Sequence, residues 1–339
     1  MRNETYNAAV LSHTNPNLVR AILSIEVQQK KFREPLPNEL LIKMEAAPFN
    51  PSDIAFLQDN YNVKKQMPCV PGFEGAGKIV EVGKELDSGF WLGKRVSCFS
   101  QQNKDGTWAE YFYAGAHEVL PVSDKLSAAQ AATFFINPFT AWGLFEIALQ
   151  RESSAIIINA AGSRVADFLL ALARMHQLEV LAIVRKEQTA KTLIAQGVRH
   201  VLVESDPDFN SKLQSLAHEL KATTAFDAVG GAQSGQLFNL MPSDSEVVLY
   251  GGLSGKAVDG LNPLSLIFDN KMFTGFNLND WMAETDAVSF EVARQTLEEL
   301  LTDNVVSTKI QQEVRLPEIA KGLRNYITAM SQGKVVIRF

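Results

Sequence analysis

The middle of the chain alternates short apolar runs with stretches in which apolar residues recur at helical spacing. Residues 155–159 form an apolar, β-rich run, as expected of a buried parallel strand. Helical spacing follows over 164–177, and a second apolar run covers 179–184. Because parallel strands are joined by a crossover that is usually a helix, this stretch predicts a βαβ unit.

The alternation continues beyond this unit. It predicts helices at 187–196, 208–220 and 232–240 and strands at 200–203, 225–228, 246–250 and 271–277. Strands and helices that alternate in this way favour a doubly wound parallel sheet, the Rossmann architecture. Two more helices, at 287–303 and 317–331, precede a last strand at 334–339. We expect that strand to return to the first domain, since the parallel sheet offers it no partner.

The first 127 residues show a different pattern, mostly β with turns. Turns rich in proline and glycine separate the strand candidates, at 21–27, 39–47, 77–82 and 95–99. Their uneven spacing predicts an irregular barrel, and an alanine-rich helical stretch begins near Ser127. We therefore expect an α/β fold in three segments: a barrel-like domain at 1–127, a nucleotide-binding Rossmann domain at 128–277, and a return to the barrel-like domain at 278–339.

A turn of small residues, 159–163, links the first apolar run to its helix. The N-terminus of a helix presents free N–H groups and the positive end of a dipole, which favour a phosphate. The G-x-G-x-x-G fingerprint is missing, because its positions hold Ala161, Ser163 and Ala166. The small residues still allow a close approach, so the turn predicts a dinucleotide site. The alternative is an ordinary crossover that binds no ligand.

Arg185 and Lys186 follow the second apolar run. An NAD site usually carries Asp or Glu about 20 residues past the glycines, where it binds the ribose 2′-hydroxyl. A cationic pair at that place would bind a 2′-phosphate instead, so the pair predicts NADPH as the cofactor. The alternative is a solvated basic pair that opens the next helix.

Length and charge narrow the choice of function. A chain of 339 residues is too long for one ordinary core and suggests two domains. Lys and Arg total 32 against 38 for Asp and Glu, and the net charge of −6 argues against nucleic acid or an anionic membrane as partner. Two cysteines give no disulfide framework, and no apolar run approaches the roughly 18 residues of a membrane span. The N-terminus has no apolar signal core, so we expect a cytoplasmic protein.

Six motifs occur in one order along nearly the whole chain. They are Asn50-Pro51-Ser52-Asp53, Pro71-Gly72-Phe73-Glu74-Gly75-Ala76-Gly77, Asn137-Pro138-Phe139-Thr140-Ala141, Asp227-Ala228-Val229-Gly230-Gly231, Tyr250-Gly251-Gly252-Leu253 and Gly333-Lys334-Val335-Val336. With these motifs the chain resembles the medium-chain dehydrogenase/reductase superfamily, in its zinc-free branch of quinone oxidoreductases and 2-enoyl thioester reductases. The resemblance implies a GroES-like catalytic domain built from both ends of the chain, with the cofactor domain inserted.

The resemblance also implies that no metal is bound. Zinc members use Cys, His and a further Cys or Asp, whereas Ser52 stands near the first ligand position and Phe73 at the usual histidine position. Neither residue is a zinc ligand. Without a metal, hydride transfer needs a substrate that can itself delocalise the negative charge left after hydride addition. An activated C=C bond (enone or enoyl thioester) or a quinone does so.

Tyr61 lies eleven residues after Asn50, and in the enoyl reductases that the chain resembles a tyrosine at this spacing is the proton donor. A phenol has a pKa of about 10 and is protonated at neutral pH. The alternative for Tyr61 is a loop aromatic that only shapes the site. Asn50 either orients the nicotinamide or starts an Asx turn before Pro51.

The resemblance implies a wider set of cofactor contacts. By position these are Asn137, Thr140, Gly162, Ser163, Arg164, Val165, Arg185, Lys186, Tyr250, Gly251, Gly252, Leu253, Phe276, Asn277, Leu278 and Lys334. Asn137 and Thr140 belong to a motif expected to form a turn, and the alternative for Phe276 is a core strand residue. Tyr61 and Asn50 at the family's spacing favour an NADPH-dependent reductase, whereas the degraded turn favours the alternative, a non-catalytic NADPH-binding sensor or structural relative. The apolar strand at 271–277 predicts a homodimer, in which it pairs with its symmetry mate across a sheet edge.

Overall fold

The computed structural model describes residues 4–339, so the first three residues of the predicted first domain lie outside the described part. The strands, in chain order, are β1 (Thr5–Leu11), β2 (Ile25–Lys31), β3 (Glu39–Pro48), β4 (Glu74–Val82), β5 (Arg95–Phe99), β6 (Tyr111–Gly115), β7 (Val119–Pro121), β8 (Ala155–Ile158), β9 (Glu179–Val184), β10 (His200–Val203), β11 (Ala222–Asp227), β12 (Glu246–Leu249), β13 (Met272–Gly275), β14 (Ile310–Arg315) and β15 (Lys334–Arg338). The α-helices are α1 (Leu18–Leu23), α2 (Pro51–Leu57), α3 (Ser88–Trp91), α4 (Ala128–Ala132), α5 (Ile136–Gln150), α6 (Arg164–Met175), α7 (Glu187–Ala195), α8 (Phe209–Glu219), α9 (Ala232–Leu240), α10 (Pro263–Phe268), α11 (Leu278–Glu284), α12 (Ala287–Thr302) and α13 (Ile319–Thr328). No helix within residues 4–339 has both the length and the apolar character needed to cross a membrane.

Most predicted elements form where the hydrophobic pattern places them, and β9, β10 and α9 have the predicted bounds. The strand predicted at 21–27 is confirmed only for residues 25–27, because α1 extends to Leu23 and β2 begins at Ile25. Asn17 starts this helix, since its side chain accepts a hydrogen bond from the Arg20 N–H at 3.1 Å. Local capping thus prevails over an apolar run that also suited a strand.

The chain divides into two compact units. The first unit runs up to Ile136 and resumes at Leu301, and the second unit comprises 137–300. The sequence pattern suggested divisions at 127/128 and 277/278. The structure differs there because α4 packs on β3, β4 and β5 of the first unit. In the second unit, Phe290 of α12 stacks on Phe139 with the ring centroids 5.0 Å apart.

The first unit is built on a mostly antiparallel sheet. Its strand order is β14-β15-β3-β4-β5-β7, with β6 also paired to β3, while β1 and β2 form a separate sheet. The last strand, β15, pairs antiparallel with β3, as predicted for the returning tail. The core of this sheet contains Leu40, Ile42, Val96 and Phe112, all buried. Both ends of the chain therefore contribute to one sheet.

The second unit holds a parallel sheet of six strands in the order β10-β9-β8-β11-β12-β13. This order confirms the predicted doubly wound α/β fold. The order reverses between β8 and β11, and in such sheets ligands bind outside the carboxyl ends of the strands at that switch point. Ile157, Leu181 and Val247 are fully buried in the core of the unit.

One charged side chain is buried in the first unit without a hydrogen bond. Lys65 is 8% exposed, and its Nζ has no hydrogen-bond partner among the described residues. Nζ lies 5.2 Å from the ring centroid of Phe73 and 5.9 Å from that of Phe56, and burial lowers the pKa of the amine. Each cation–π contact returns about 0.5–2 kcal/mol, whereas a buried charge without a partner costs several kcal/mol.

An apolar side chain of similar length in place of this amine should stabilise the fold. We expect Lys65→Met to raise the free energy of unfolding by about 1–2 kcal/mol, seen in calorimetry as a higher melting temperature. Lys64→Met is the matched control, because Lys64 is exposed and its ion pair with Asp59 is a surface pair worth about 0–1 kcal/mol. A lower melting temperature for Lys65→Met would contradict the expectation, since it would show that Nζ contributes favourable contacts to the folded state.

Candidate functional site

A buried polar pair joins the carboxyl ends of β8 and β11. Asn159 is fully buried, its Nδ2 donates to Asp227 Oδ1 at 2.5 Å, and its Oδ1 accepts from the Ala228 N–H at 2.7 Å. Asp227 Oδ1 also accepts from the Val229 N–H at 2.7 Å. These contacts hold the turn after β8 at the switch point of the sheet, where a dinucleotide binds in this type of fold.

The turn keeps one glycine that its packing requires. A Cβ added at Gly162 would lie 2.7 Å from Cγ2 of Thr189 in α7, so a larger residue would push the turn away from that helix. The hydroxyl of Ser163 accepts from the Ala166 N–H at 3.3 Å and so caps α6. The same hydroxyl hydrogen-bonds the phenol of Tyr250. Gly162 therefore has a packing role against α7, and Ser163 has a capping role for α6.

Two cations stand at the carboxyl end of β9. Arg185 and Lys186 directly follow this strand and are exposed, and neither forms an ion pair within residues 4–339. Arg164, in the first turn of α6, is instead paired with Asp167 of the same helix. The charges of Arg185 and Lys186 are therefore available to a phosphate, whereas the Arg164 charge is partly compensated.

The motif that holds Asn137 and Thr140 forms the first turns of α5 rather than the expected turn. Pro138 suits this place, because a residue in the first turn of a helix does not need its N–H for the helix. Thr140 is buried, while Asn137 is half-buried. That both residues contact the cofactor stays a prediction.

Two further predicted cofactor residues, Phe276 and Asn277, have structural roles within the second unit. Leu253 is 52% exposed in the loop after β12. Phe276 is half-buried just after β13, and its ring packs on α5, since a Cβ added at Gly143 would lie 2.5 Å from its Cζ. Asn277 caps α11 by accepting from the Asn279 N–H at 2.9 Å. Packing and capping thus account for Phe276 and Asn277 without a ligand.

A buried network of polar groups lies in the first unit. Asn50 Nδ2 donates to Glu74 Oε2 at 3.1 Å, and Lys334 Nζ donates to Asn50 Oδ1. The other Glu74 oxygen accepts from the N–H groups of Phe135 and Ile136 at 2.8 Å each. The side chains of Asn50 and Lys334 therefore hydrogen-bond within the protein, and their contacts with a cofactor stay predictions.

Burial raises the pKa of two carboxyl groups in this region, those of Asp53 and Glu74. Asp53 accepts from the N–H groups of Asn50 at 2.8 Å and Phe73 at 3.2 Å, yet burial raises its pKa to about 7. Burial also raises the pKa of Glu74, against the opposing charge of Lys334. An acid whose pKa is higher in the folded than in the unfolded state favours folding while protonated. The contribution of Asp53 to stability therefore falls as the pH rises from about 4 to about 7.

Tyr61 lies in the segment between α2 and β4 and is half-buried. Its Oη accepts from Gln101 Nε2 at 2.9 Å, and its ring centroid lies 5.6 Å from that of Phe73. Burial raises the pKa of Tyr61, so the phenol keeps its proton throughout the neutral range. Sequence reasoning found Tyr61 but missed Gln101, because the two residues are 40 positions apart and no local pattern connects them.

Phe73, at the histidine position of the zinc enzymes, is fully buried and packs against the rings of Phe56 and Tyr61. Residues 4–339 contain no group of three or more His, Cys, Asp or Glu side chains placed to hold a metal ion. The aromatic side chain of Phe73 therefore occupies the position at which the zinc enzymes have a histidine ligand, and it packs against other rings. Sequence reasoning also missed Lys65 above this ring, since the Lys64-Lys65 pair is typical of a solvated surface.

Two family models match the chain. The alcohol dehydrogenase GroES-like domain matches residues 36–124, and the model described as zinc-binding dehydrogenase matches residues 165–293. The second name mentions zinc, but in this chain Phe73 stands at the usual histidine position and Ser52 near the first ligand position, and neither side chain is a zinc ligand.

Similar proteins are known among curated sequences and solved structures. The mitochondrial enoyl-[acyl-carrier-protein] reductase of Bos taurus is 26% identical over 337 residues, which cover 94% of this chain and 88% of that protein. The structure described as a candidate NADPH:quinone reductase of Mesorhizobium loti is 29% identical, covers 100% of both chains and has a TM-score of 0.92. Etr1p in complex with NADP and crotonyl-CoA has the same fold, with a TM-score of 0.81 at 18% identity over 99% of this chain and 100% of that one. The protein is an oxidoreductase and belongs to the zinc-free branch of the medium-chain dehydrogenase/reductase superfamily.

Proposed function

We propose that the protein takes hydride from NADPH and delivers it to an activated C=C bond, in an enone or enoyl thioester, or to a quinone. The observation that carries this proposal is Tyr61, a phenol whose raised pKa keeps it protonated and whose oxygen accepts a hydrogen bond from Gln101. The relatives support both substrate classes. One is named an enoyl reductase, another an NADPH:quinone reductase, and a third was solved with NADP and crotonyl-CoA.

The residues of the second unit fit NADPH. The turn after β8 leads into the N-terminus of α6, which favours a diphosphate. Arg185 and Lys186 offer two exposed cations to a 2′-phosphate, whereas an Asp or Glu at that place would favour NADH. When bound, NADPH supplies the hydride.

Tyr61 distinguishes the two substrate classes. Addition of hydride to the β-carbon of an enone or enoyl thioester leaves an enolate, whose α-carbon must then be protonated. Protonation of carbon is slow, so a positioned acid such as Tyr61 accelerates it, typically by about 10²–10⁴-fold. A quinone that accepts hydride carries the charge on oxygen, which takes a proton from water readily. Tyr61 therefore matters for C=C reduction more than for quinone reduction.

We also propose that the protein is a homodimer formed through the second unit. β13 is the last strand on its side of the parallel sheet, and unpaired sheet edges in native proteins are covered or blocked. The helix that precedes this strand in the chain, α10, and the strand itself carry the exposed apolar side chains of Leu264, Leu266, Ile267, Phe268 and Met272, with Phe268 76% exposed. Two copies that pair β13 with β13 would remove both the open edge and this apolar patch from water.

We expect the protein to act in the cytoplasm. Cys69 and Cys98 are free and buried, and free thiols are typical of proteins in reducing compartments. The bovine relative is mitochondrial. Fractionation of cells that produce the protein naturally distinguishes the two compartments.

The cofactor assignment is tested by the double replacement of Arg185 and Lys186 with Ala. Each charge-assisted contact with the 2′-phosphate is worth about 1.5–3 kcal/mol, so NADPH binding should weaken by about 10-fold to 100-fold per contact, while NADH binding changes little. Calorimetric titration measures both constants. Lys191→Ala, at an exposed position of α7, is the control and should leave both unchanged. Equal losses for NADPH and NADH would show that the pair does not bind the 2′-phosphate.

The chemical assignment is tested by Tyr61→Phe, which keeps the ring and removes only the hydroxyl. We expect kcat with crotonyl-CoA or 2-cyclohexenone to fall by about tenfold or more, and kcat with 1,4-naphthoquinone to change far less. Tyr111→Phe, within β6, is the matched control. An unchanged rate with an enone would identify Tyr61 as a residue that only shapes the site. A wild-type enzyme that reduces quinones alone would remove the C=C half of the proposal.

The dimer is tested by light scattering at micromolar concentration. Phe268→Glu combined with Met272→Lys should convert the dimer into a folded monomer, because charges at the proposed contact would lose their hydration on association. Val288→Glu, at an exposed position of α12, should leave the dimer intact. A wild-type monomer at this concentration would contradict the proposal.

A further inference from the structure

Within residues 4–339, the hydroxyl of Tyr61 hydrogen-bonds the side chain of Gln101. Gln101 Nε2 donates to Tyr61 Oη at 2.9 Å, in a partly buried contact. Gln101 follows β5, and the chain just before it is held by the Ser100 N–H, which donates to the Phe73 carbonyl at 2.8 Å. The ring of Tyr61 lies against Phe73 as well. Both partners of the contact are thus positioned by the same buried residue.

The direction of this hydrogen bond leaves the phenol hydrogen free for another acceptor. A phenol has one hydrogen to donate and an oxygen that accepts, and here the oxygen accepts from the Gln101 amide. If Tyr61 gives up its proton, the negative charge appears on the oxygen that already faces an N–H group. A hydrogen bond to a charged acceptor is roughly twice as strong as one to a neutral acceptor. The contact therefore strengthens as the proton leaves, which is the property that lowers a barrier.

The groups around Tyr61 act in opposite directions on its acidity. Burial raises its pKa most, and the carboxyl of Asp53 raises it further, while the Gln101 amide lowers it. The amine of Lys65 lies 5.2 Å from the centroid of the Phe73 ring, which packs against the ring of Tyr61. Among these groups Gln101 is the one in direct contact with the oxygen that would carry the charge.

We propose that Gln101 is a positioning residue for proton transfer from Tyr61: it fixes the hydroxyl and stabilises the phenolate left behind. The inference rests on the proposed function. Bound NADPH would supply the hydride that the β-carbon of the substrate accepts, so that the cofactor would be oxidised and the substrate reduced to an enolate. The Tyr61 O–H bond then breaks and a C–H bond forms at the α-carbon. The phenolate keeps the electron pair, faces the Gln101 amide, and regains its proton from water.

Three variants test the contact by kinetics. We expect Gln101→Leu to lower kcat with crotonyl-CoA or 2-cyclohexenone by about tenfold, the value of one hydrogen bond to a charged group, with KM and the quinone rate little changed. Gln101→Glu should lose more, because a carboxylate only accepts hydrogen bonds and places a like charge beside the phenolate. Gln102→Leu is the matched control, since Gln102 is exposed. A wild-type rate in Gln101→Leu or in Gln101→Glu overturns the proposal.

A second measurement separates a positioning role from a merely structural one. In a Tyr61→Phe background, Gln101→Leu should cause no further loss, because its effect passes through the missing hydroxyl. If the double variant loses the product of the two single fold-losses in kcat, the two residues act independently and the proposal is overturned.

Titration of ¹³C-labelled tyrosine rings by NMR gives a readout that needs no turnover. The Tyr61 signal is the one absent from Tyr61→Phe, and its pKa should rise in Gln101→Leu because the phenolate loses a donor. The group is an acid, so a higher pKa moves its ionisation to higher pH. A wild-type protein without reductase activity would refute the proposed function alone, whereas an unchanged Tyr61 pKa in Gln101→Leu would refute the role of Gln101.

Discussion

The first unit depends on the burial of one carboxylate. Glu74 is fully buried, and its oxygens accept from the Asn50 amide at the start of α2 and from the N–H groups of Phe135 and Ile136. Lys334, in the last strand, joins the network through Asn50. Loss of such an acceptor would leave each buried donor without a hydrogen bond, which costs about 1–3 kcal/mol for each donor. The network thus fixes the start of α2, the helix that precedes the segment with Tyr61.

The turn after β8 in the second unit lacks the glycine fingerprint of many dinucleotide sites. Phosphate is bound by the N–H groups of a helix N-terminus, which any residue supplies, while glycine is needed only where another group approaches closely. In this turn such an approach occurs at Gly162, beneath Thr189. Ser163 gains a capping role that glycine lacks. The substitutions at Ala161 and Ala166 are therefore compatible with a dinucleotide site.

Phe73 brings the unusual ionisable groups of the first unit together. Its ring contacts that of Tyr61 and lies under the amine of Lys65, and its N–H donates to Asp53. Burial raises the pKa of Asp53 and Tyr61 and lowers the pKa of Lys65 relative to the ordinary value of each group. Natural proteins break local rules mainly at functional sites, and perturbed acids and bases cluster there. The position that holds a metal ligand in zinc relatives is here the centre of an aromatic and acid–base cluster.

The sequence by itself determined the order and type of most elements, because buried strands and amphipathic helices leave periods of 2.0 and 3.6 residues. It also singled out Tyr61, Arg185 and Lys186 as candidates, since motif spacing is a property of the chain, and their roles stay proposals. Only the tertiary structure decided which groups meet. Asn50 and Lys334 hydrogen-bond although they are 284 positions apart in the chain. Gln101 and Tyr61 are 40 positions apart, and no local sequence pattern predicts their contact. Lys64 and Lys65 are identical neighbours, yet packing buries one and leaves the other in water, because burial depends on what the rest of the chain places around a residue.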